Sequence, residues 1–344
     1  MPMILSRLFP KSYPALDWVQ IEISSHCNAA CIYCPHTEYR RTWRHRHLPQ
    51  EIFKRLIPAF ANTTLIYLQG WGEPFLHPDF FDLLRIAKNA GCMVGTTTNA
   101  TQLNKEQVSR LIEEGLDVIG FSLAGIDEKN DRIREGTCIM QTLDCIEMFH
   151  REKSKRGATN PKLHIAYMLF RSGLQDLEKI PSFLARTGVD QTVVSSLSLA
   201  LNPNLEAESI LAASEDEVQE LKHRLCETKA QAGKLAVDLH FHTVSPQMEF
   251  IKCGENINRS VVVGSDGCVS PCVFTQIPAR GENFYFFRGR KVAQPDLSFG
   301  NIEFDSLNNI WNQKAYRQFL RAHRRGQKPE ICKTCLKGYI ATDF

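Results

Sequence analysis

Short apolar runs alternate with amphipathic stretches through the first two hundred residues. Trp18-Val19-Gln20-Ile21-Glu22-Ile23 reads as a strand. A helix opened by Pro49 is expected over 48–60, then a buried strand over 64–69. Helix 79–89 ends at Gly91, strand 92–98 follows, and helix 105–114 stops at Gly115. Strand 118–123, helix 142–153, strand 164–170, helix 174–186 and strand 191–197 complete six strand–helix units. Short apolar strands alternating with amphipathic helices imply a parallel sheet. Six units rather than eight suggest an open partial (β/α)6 barrel. A polar helix over 206–233, with Glu215, Glu217, Glu220, Lys222, Arg224 and Glu227 on its solvated side, reads as a linker helix packing on the barrel. The expected division is a barrel over 1–200, a linker helix and strand over 201–250, and a small C-terminal unit over 251–344.

Composition changes this picture little. A chain of 344 residues buries a sizeable core, and 43% hydrophobic content is ordinary. No apolar run approaches the ~18 residues of a membrane span. The first ten residues are too short and broken for a signal peptide. Twelve cysteines without a secretory signal point to metal binding in a reducing, cytoplasmic setting. A net charge of +3 does not argue for nucleic acid, which is not an expected partner, nor is a membrane.

The cysteines carry the chemistry. Cys27, Cys31 and Cys34 follow the first strand as Cys-x3-Cys-x2-Cys. Chance would place two further cysteines at these offsets roughly once in a thousand. Three thiolates on a cubane that normally takes four leave one iron open for chemistry. Unpaired core cysteines and half of a zinc site are the plainer alternatives. A second set lies in the last hundred residues: Cys253, Cys272, Cys332 and Cys335, with Cys268 as a spare. Four thiolates close the shell of one 4Fe–4S cluster, although zinc takes the same set. Asp266-Gly267 between apolar runs marks a hairpin there. Cys92, Cys138, Cys145 and Cys226 read as buried small hydrophobes.

The triplet, with Tyr33 just before its last cysteine, resembles the signature of the radical SAM superfamily. The resemblance implies a 4Fe–4S cluster whose open iron chelates S-adenosylmethionine (SAM). Reductive cleavage then yields a 5′-deoxyadenosyl radical that takes hydrogen from a substrate. Gly70-Trp71-Gly72-Glu73-Pro74 is similar to the family's GGEP motif, in which backbone and Glu receive the SAM ammonium; Trp71 is a departure. Thr98-Asn99-Ala100 resembles its TNG turn, with Ala where Gly is usual. Ser122 and Arg134 are similar to residues contacting the SAM ribose region and carboxylate, although Ala124 replaces an Asp. The cofactor-binding set so implied is Tyr33, Gly72, Glu73, Pro74, Asn99, Ser122 and Arg134; no catalytic residue is named.

The C-terminal cysteines resemble the SPASM or twitch extension of the same superfamily. No further cysteine follows Cys335, so a twitch-like unit with one auxiliary 4Fe–4S cluster is expected. Gly70 to Pro78 looks like maturases of tungsten-cofactor oxidoreductases, and the single auxiliary cluster looks like radical SAM dehydrogenases. The expected activity is therefore cofactor or enzyme maturation, or oxidation of a small molecule. The alternatives are maturation of a ribosomal peptide and a non-SAM electron-transfer protein. About 17 residues before the first strand are too few for a peptide-recognition domain. The implied partners are a low-potential donor such as flavodoxin or ferredoxin and a small-molecule, cofactor or peptide substrate. A basic loop, Arg40, Arg41, Arg44 and Arg46 with Trp43, His45 and His47, is solvated or contacts substrate or an acidic partner. Arg321, His323, Arg324 and Arg325 read as positive charge at a helix C-terminus.

Overall fold

The computed structural model describes residues 15–210, 214–244 and 253–342. Eleven of its strands share one sheet: β1 (Leu16–Ile21), β2 (Thr63–Leu68), β3 (Met93–Thr98), β4 (Val118–Leu123), β5 (Lys162–Leu169), β6 (Gln191–Ser196), β7 (Leu239–Val244), β8 (Ser260–Val263), β9 (Cys268–Ser270), β10 (Gly300–Asn301) and β11 (Ile340–Thr342). Their spatial order is β10-β9-β8-β1-β2-β3-β4-β5-β6-β7-β11. The six expected strands lie side by side in chain order, all parallel, as right-handed strand–helix crossovers demand. Among the described residues the outermost strands of the row are not paired with each other, so the barrel is open and partial.

Apolar side chains fill one face of these strands, in register from strand to strand. Val19, Ile21, Ile66, Leu68, Val94, Ile119, Phe121 and Ile165 are all fully buried. The opposite face carries Gln20, Tyr67, Thr97 and Ser122, the period-two alternation of a sheet whose two sides differ. Local signals set most boundaries. Asn104 and Gln107 form a reciprocal capping box at the start of helix Lys105–Glu113. Gly157 and Gly188, both left-handed, stop the helices before them.

Three expectations change. The helix over 48–60 breaks into Gln50–Lys54 and Ile57–Phe60, because Pro58 lacks the N–H that continuity requires. The stretch over 174–186 begins as tight turns over Arg171–Lys179 and becomes α-helix only from Ile180. The polar helix over 206–233 forms as Glu215–Lys234 behind a separate short helix, Pro203–Ala207. It packs on helix Ile180–Thr187 and on β7 with Leu225 and Ala232 buried, so it lies on the barrel as expected.

Two more parallel strands extend the barrel sheet. β7 adds beside β6, and β8 adds on the far side of β1 with Trp18 opposite Ser260 and Val19 opposite Val261. β8 and β9 form the hairpin expected at Asp266-Gly267, where Gly267 has φ +79°. The C-terminal cysteine unit is thereby hydrogen-bonded to the strand that leads into the first cysteine triplet.

Candidate active site and auxiliary cluster site

The C-terminal ends of β1 to β4 meet around Cys27, Cys31 and Cys34. This is the end of a parallel barrel where helix and strand geometry leaves the loops free for chemistry. The triplet loop is tied down at several points. Cys31 pairs with Arg134, and Ala30 with Glu135, in a short antiparallel ribbon. The Cys34 N–H donates to the Cys31 carbonyl at 3.0 Å, and Cys34 opens the short helix Pro35–Glu38. Burial pushes the Cys27 thiol up to about 11 and Cys34 to about 12, and neighbouring thiols push in the same direction. These groups stay neutral until a cation arrives, which is the donor chemistry of a thiolate site that loads with loss of protons.

The segment after β2 lies directly on this loop. The Glu73 N–H donates to the His26 carbonyl at 2.7 Å. A Cβ on Gly72 would stand 2.3 Å from the Ser24 carbonyl oxygen and 2.6 Å from that of His26. Only glycine fits, because backbone on both sides cannot yield. Gly72→Ala should therefore cost more than the ~1–3 kcal/mol of ordinary overpacking and displace the cysteine loop. Iron content measured after anaerobic reconstitution should fall together with the melting temperature; a variant that keeps both contradicts the close approach.

Glu73 is buried and brackets three elements. Its Oε1 accepts from Thr98 Oγ1 at 2.8 Å and Phe75 N at 3.2 Å, and its Oε2 from Asn99 N at 2.8 Å. A carboxylate offers about four acceptor positions, so one stays open. Burial raises the Glu73 carboxyl to about 6, against its hydrogen bonds and the charge of Arg134. Pro74 starts the turn capped by Glu73. Asn99 Nδ2 reaches Asn28 Oδ1 at 2.9 Å, next to Cys27. Ala100, where the family motif has glycine, holds a left-handed φ of +65°. Ser122 is half-buried on β4, in register with Ala166.

Arg134 is not a solvated helix charge. It is 5% exposed, and its Nη1 donates to the Tyr33 hydroxyl at 2.6 Å while its buried Nε has no partner. Burial opposes its charge, but Tyr33 and the thiols of Cys31 and Cys27 sustain it. A buried guanidinium with a spare donor fits a carboxylate. Tyr33 also meets Phe170 edge-on at 5.6 Å. With Trp71, Ala124, Leu197, Leu199 and Tyr285 these rings form an apolar cluster above the strand ends.

The C-terminal thiols share a second cavity. Cys253, Cys272, Cys332 and Cys335 line it together with Phe274, Phe319, His323 and Lys337. Burial raises Cys253 to about 11 and Cys332 to about 12, and places Cys272 and Cys335 higher than an ordinary thiol. Among the described residues no three His, Cys, Asp or Glu side chains converge tightly enough for a single metal ion. The four thiols ring a space rather than a point. Cys268 is outside the ring: it lies on β9, with Asn301 Nδ2 3.6 Å from its sulfur.

Several contributors escaped the sequence reading. His323, expected as helix-end charge, turns inward with Nε2 3.8 Å from Cys332 Sγ. Lys337 pairs with Glu255 at 3.1 Å beside the thiols. Buried Glu22 accepts from Trp71 N at 2.8 Å and from Ser265 Oγ at 2.8 Å, coupling β1 to both loops. A charged residue inside an apolar strand was the available signal. Trp71 donates from Nε1 to the Gln276 carbonyl at 2.9 Å and meets Phe274 edge-on at 6.0 Å. The departure from the family motif thus connects the first site to the wall of the second. Cys138 and Cys226 are exposed rather than buried, whereas Cys92 and Cys145 are buried as expected.

A barrel with three thiols at the end of its first strand, followed by a four-thiol unit, defines an iron–sulfur enzyme of the SAM-cleaving class. Residues 21–184 match the Radical SAM superfamily model, and residues 253–336 match SPASM, an iron–sulfur cluster-binding domain. The chain belongs to the radical SAM superfamily and carries a SPASM domain; its cofactors are SAM, a 4Fe–4S cluster and auxiliary iron–sulfur. It is 26% identical over 310 residues to the tungsten-containing aldehyde ferredoxin oxidoreductase cofactor-modifying protein of Pyrococcus furiosus, covering 88% of this chain and 83% of that one. It is 24% identical over 348 residues to Fe-coproporphyrin III synthase of Methanosarcina barkeri, covering 96% and 81%. The fold is similar to Streptococcus suis SuiB bound to S-adenosylmethionine, with a TM-score of 0.65, 16% identity, and 95% and 72% coverage. No helix among the described residues is long and apolar enough to cross a membrane.

Proposed function

We propose that this radical SAM enzyme matures a cofactor or oxidises a small molecule, with one auxiliary 4Fe–4S cluster as electron acceptor. The observation that carries the reading is the pairing of two thiol sites on one sheet, joined by the packing of Trp71 on Phe274, which lines the second. The resemblance to the cofactor-modifying protein along nearly the whole chain supports the substrate class. We assign Cys27, Cys31 and Cys34 to the first cluster and Cys253, Cys272, Cys332 and Cys335 to the second.

The bound cluster supplies an open iron and one electron for SAM cleavage. This chain's own residues do the positioning. Glu73 offers its remaining acceptor position to the SAM ammonium, with Gly72 and Pro74 fixing its backbone. Arg134, held by Tyr33, offers Nε to the SAM carboxylate. Asn99 locks the β3 turn onto the cysteine loop, and Ser122 faces the ribose region. Phe170, Leu197, Leu199 and Tyr285 keep water from the substrate radical. Loss of one electron and one proton from that radical gives an oxidised product. A closed shell of four protein thiolates suits electron acceptance better than direct substrate ligation.

Glu73→Gln and Arg134→Gln should each weaken SAM binding by about ten- to a hundredfold without loss of iron, the worth of one charge-assisted bond. Protonation of Glu73 as pH falls through about 6 should weaken SAM binding in the wild type. Its raised carboxyl also means that ionisation costs the ligand-free chain about 2 kcal/mol above that pH, a cost that disappears below the ordinary carboxylate range. Glu73→Gln should flatten both dependences. Equilibrium SAM titrations between pH 5 and 8 check this, and unchanged affinity in both variants makes the two residues structural.

The function itself is tested by anaerobic incubation with SAM, reductant and deuterated candidate substrates. Deuterium in 5′-deoxyadenosine identifies the substrate. Transfer from a peptide alone would replace this reading with peptide maturation.

A further inference from the structure

We infer that the arginine loop over residues 40–46 is the docking surface for an acidic one-electron carrier protein. The inference rests on the reading of Cys27, Cys31 and Cys34 as a reducible cluster. Each SAM cleavage consumes one electron. That electron and the two of the C–S bond become a lone pair on the methionine sulfur and an unpaired electron on the 5′ carbon. A reductant must therefore approach the first cluster repeatedly.

The loop is built against Ser25 and His26, the two residues that lead into Cys27. Ser25 Oγ donates to the Arg44 carbonyl at 2.7 Å and accepts from Arg46 N at 2.8 Å. Trp43 Nε1 donates to the Ser25 carbonyl at 2.8 Å. The His45 ring stands 5.0 Å from that of His26, the residue before Cys27. On its other side the loop is held by Arg44 N to Pro278 O at 2.7 Å and by Arg280 N to Thr42 O at 2.9 Å. The backbone is pinned from both directions, so the side chains it carries start from fixed positions.

Those side chains face solvent unneutralised. Arg40, Arg41, Arg44 and Arg46 are all exposed, as is Arg280 beside them. None of the five forms an ion pair with a carboxylate among the described residues. Within residues 38–46 four arginines oppose one carboxylate, Glu38. Ile32, between Cys31 and Cys34, is 43% exposed and leaves an apolar side chain open on the cluster loop itself. Like-signed surface charges steer a partner of opposite charge. A nucleic acid fits less well, since the loop's one large aromatic ring, Trp43, is buried and cannot stack on a base.

The test uses the reconstituted full chain with flavodoxin as the probe. In the quadruple variant Arg40→Glu/Arg41→Glu/Arg44→Glu/Arg46→Glu, oxidised flavodoxin should bind about ten- to a hundredfold more weakly at low salt. Reduction of the cluster by flavodoxin hydroquinone should slow by a similar factor and lose its salt dependence. SAM cleavage driven by dithionite should stay at the wild-type rate. Equal charge reversal at four arginines elsewhere, Arg317, Arg321, Arg324 and Arg325, should leave flavodoxin binding unchanged, separating location from net charge. Wild-type binding and reduction in the loop variant overturn the assignment. So does a loop variant that loses oligonucleotide binding while keeping the flavodoxin rate. Failure of dithionite to drive cleavage in the wild type overturns the cluster reading instead.

Discussion

Replacing Cys27, Cys31 and Cys34 together by alanine will remove one cluster and abolish reductive SAM cleavage. The reason is positional. All three thiols sit in one eight-residue stretch that follows β1, Cys27 before a short ribbon, Cys31 in it and Cys34 just beyond it. The fold should survive, because hydrogen bonds from Ser25, Trp43, Glu73 and Asn28 hold the loop independently of the thiols. Iron should drop by about four per chain, from about eight for two cubanes, while the auxiliary cluster's spectrum remains. The triple variant producing 5′-deoxyadenosine at the wild-type rate would remove the basis of the whole assignment.

Replacing Cys332 and Cys335 by serine should give the complementary result. Iron falls to about four, SAM cleavage continues, and formation of oxidised product stops. These two thiols line the same cavity as Cys253 and Cys272, so the remaining pair cannot close a cubane. Tyr285 hydrogen-bonds Thr334 between them, and His323 touches Cys332, so local melting of the C-terminal turn is also expected. One equivalent of zinc with only four irons in the wild-type protein would refute the auxiliary cluster. Electron-paramagnetic spectra with and without substrate test its role separately. A change of ligation at this cluster on adding substrate would favour direct substrate binding over electron acceptance.

Much of the barrel was legible because its signals are local. Alternating apolar runs, Gly91, Gly115 and the cysteine spacing act within a few residues of themselves, and short-range sterics and ligand reach decide their outcome. The break at Pro58 was equally local, yet a continuous apolar pattern hid it. The site residues from Tyr33 to Arg134 were readable only through resemblance, because each motif alone is an ordinary turn or an ordinary charge.

Tertiary structure decided the rest, where partners are far apart in sequence. That β8 pairs with β1 depends on a backbone ladder 242 residues away from its mate, with Trp18 opposite Ser260, and no spacing announces it. Choosing Cys272 over Cys268 depends on which side of a hairpin faces the cavity: one residue joins the ring and the other is turned toward Asn301. Burial leaves Arg134, which the resemblance had singled out, as a guanidinium with an orphaned Nε. Packing likewise brought Trp71 to Phe274. The sequence by itself determined the class of chemistry through the resemblance that its cysteine motifs carry, since four thiolates alone suit zinc as well as iron. Only the folded chain decided how the two sites face one another, because that depends on long-range pairing and on which side chains lose water.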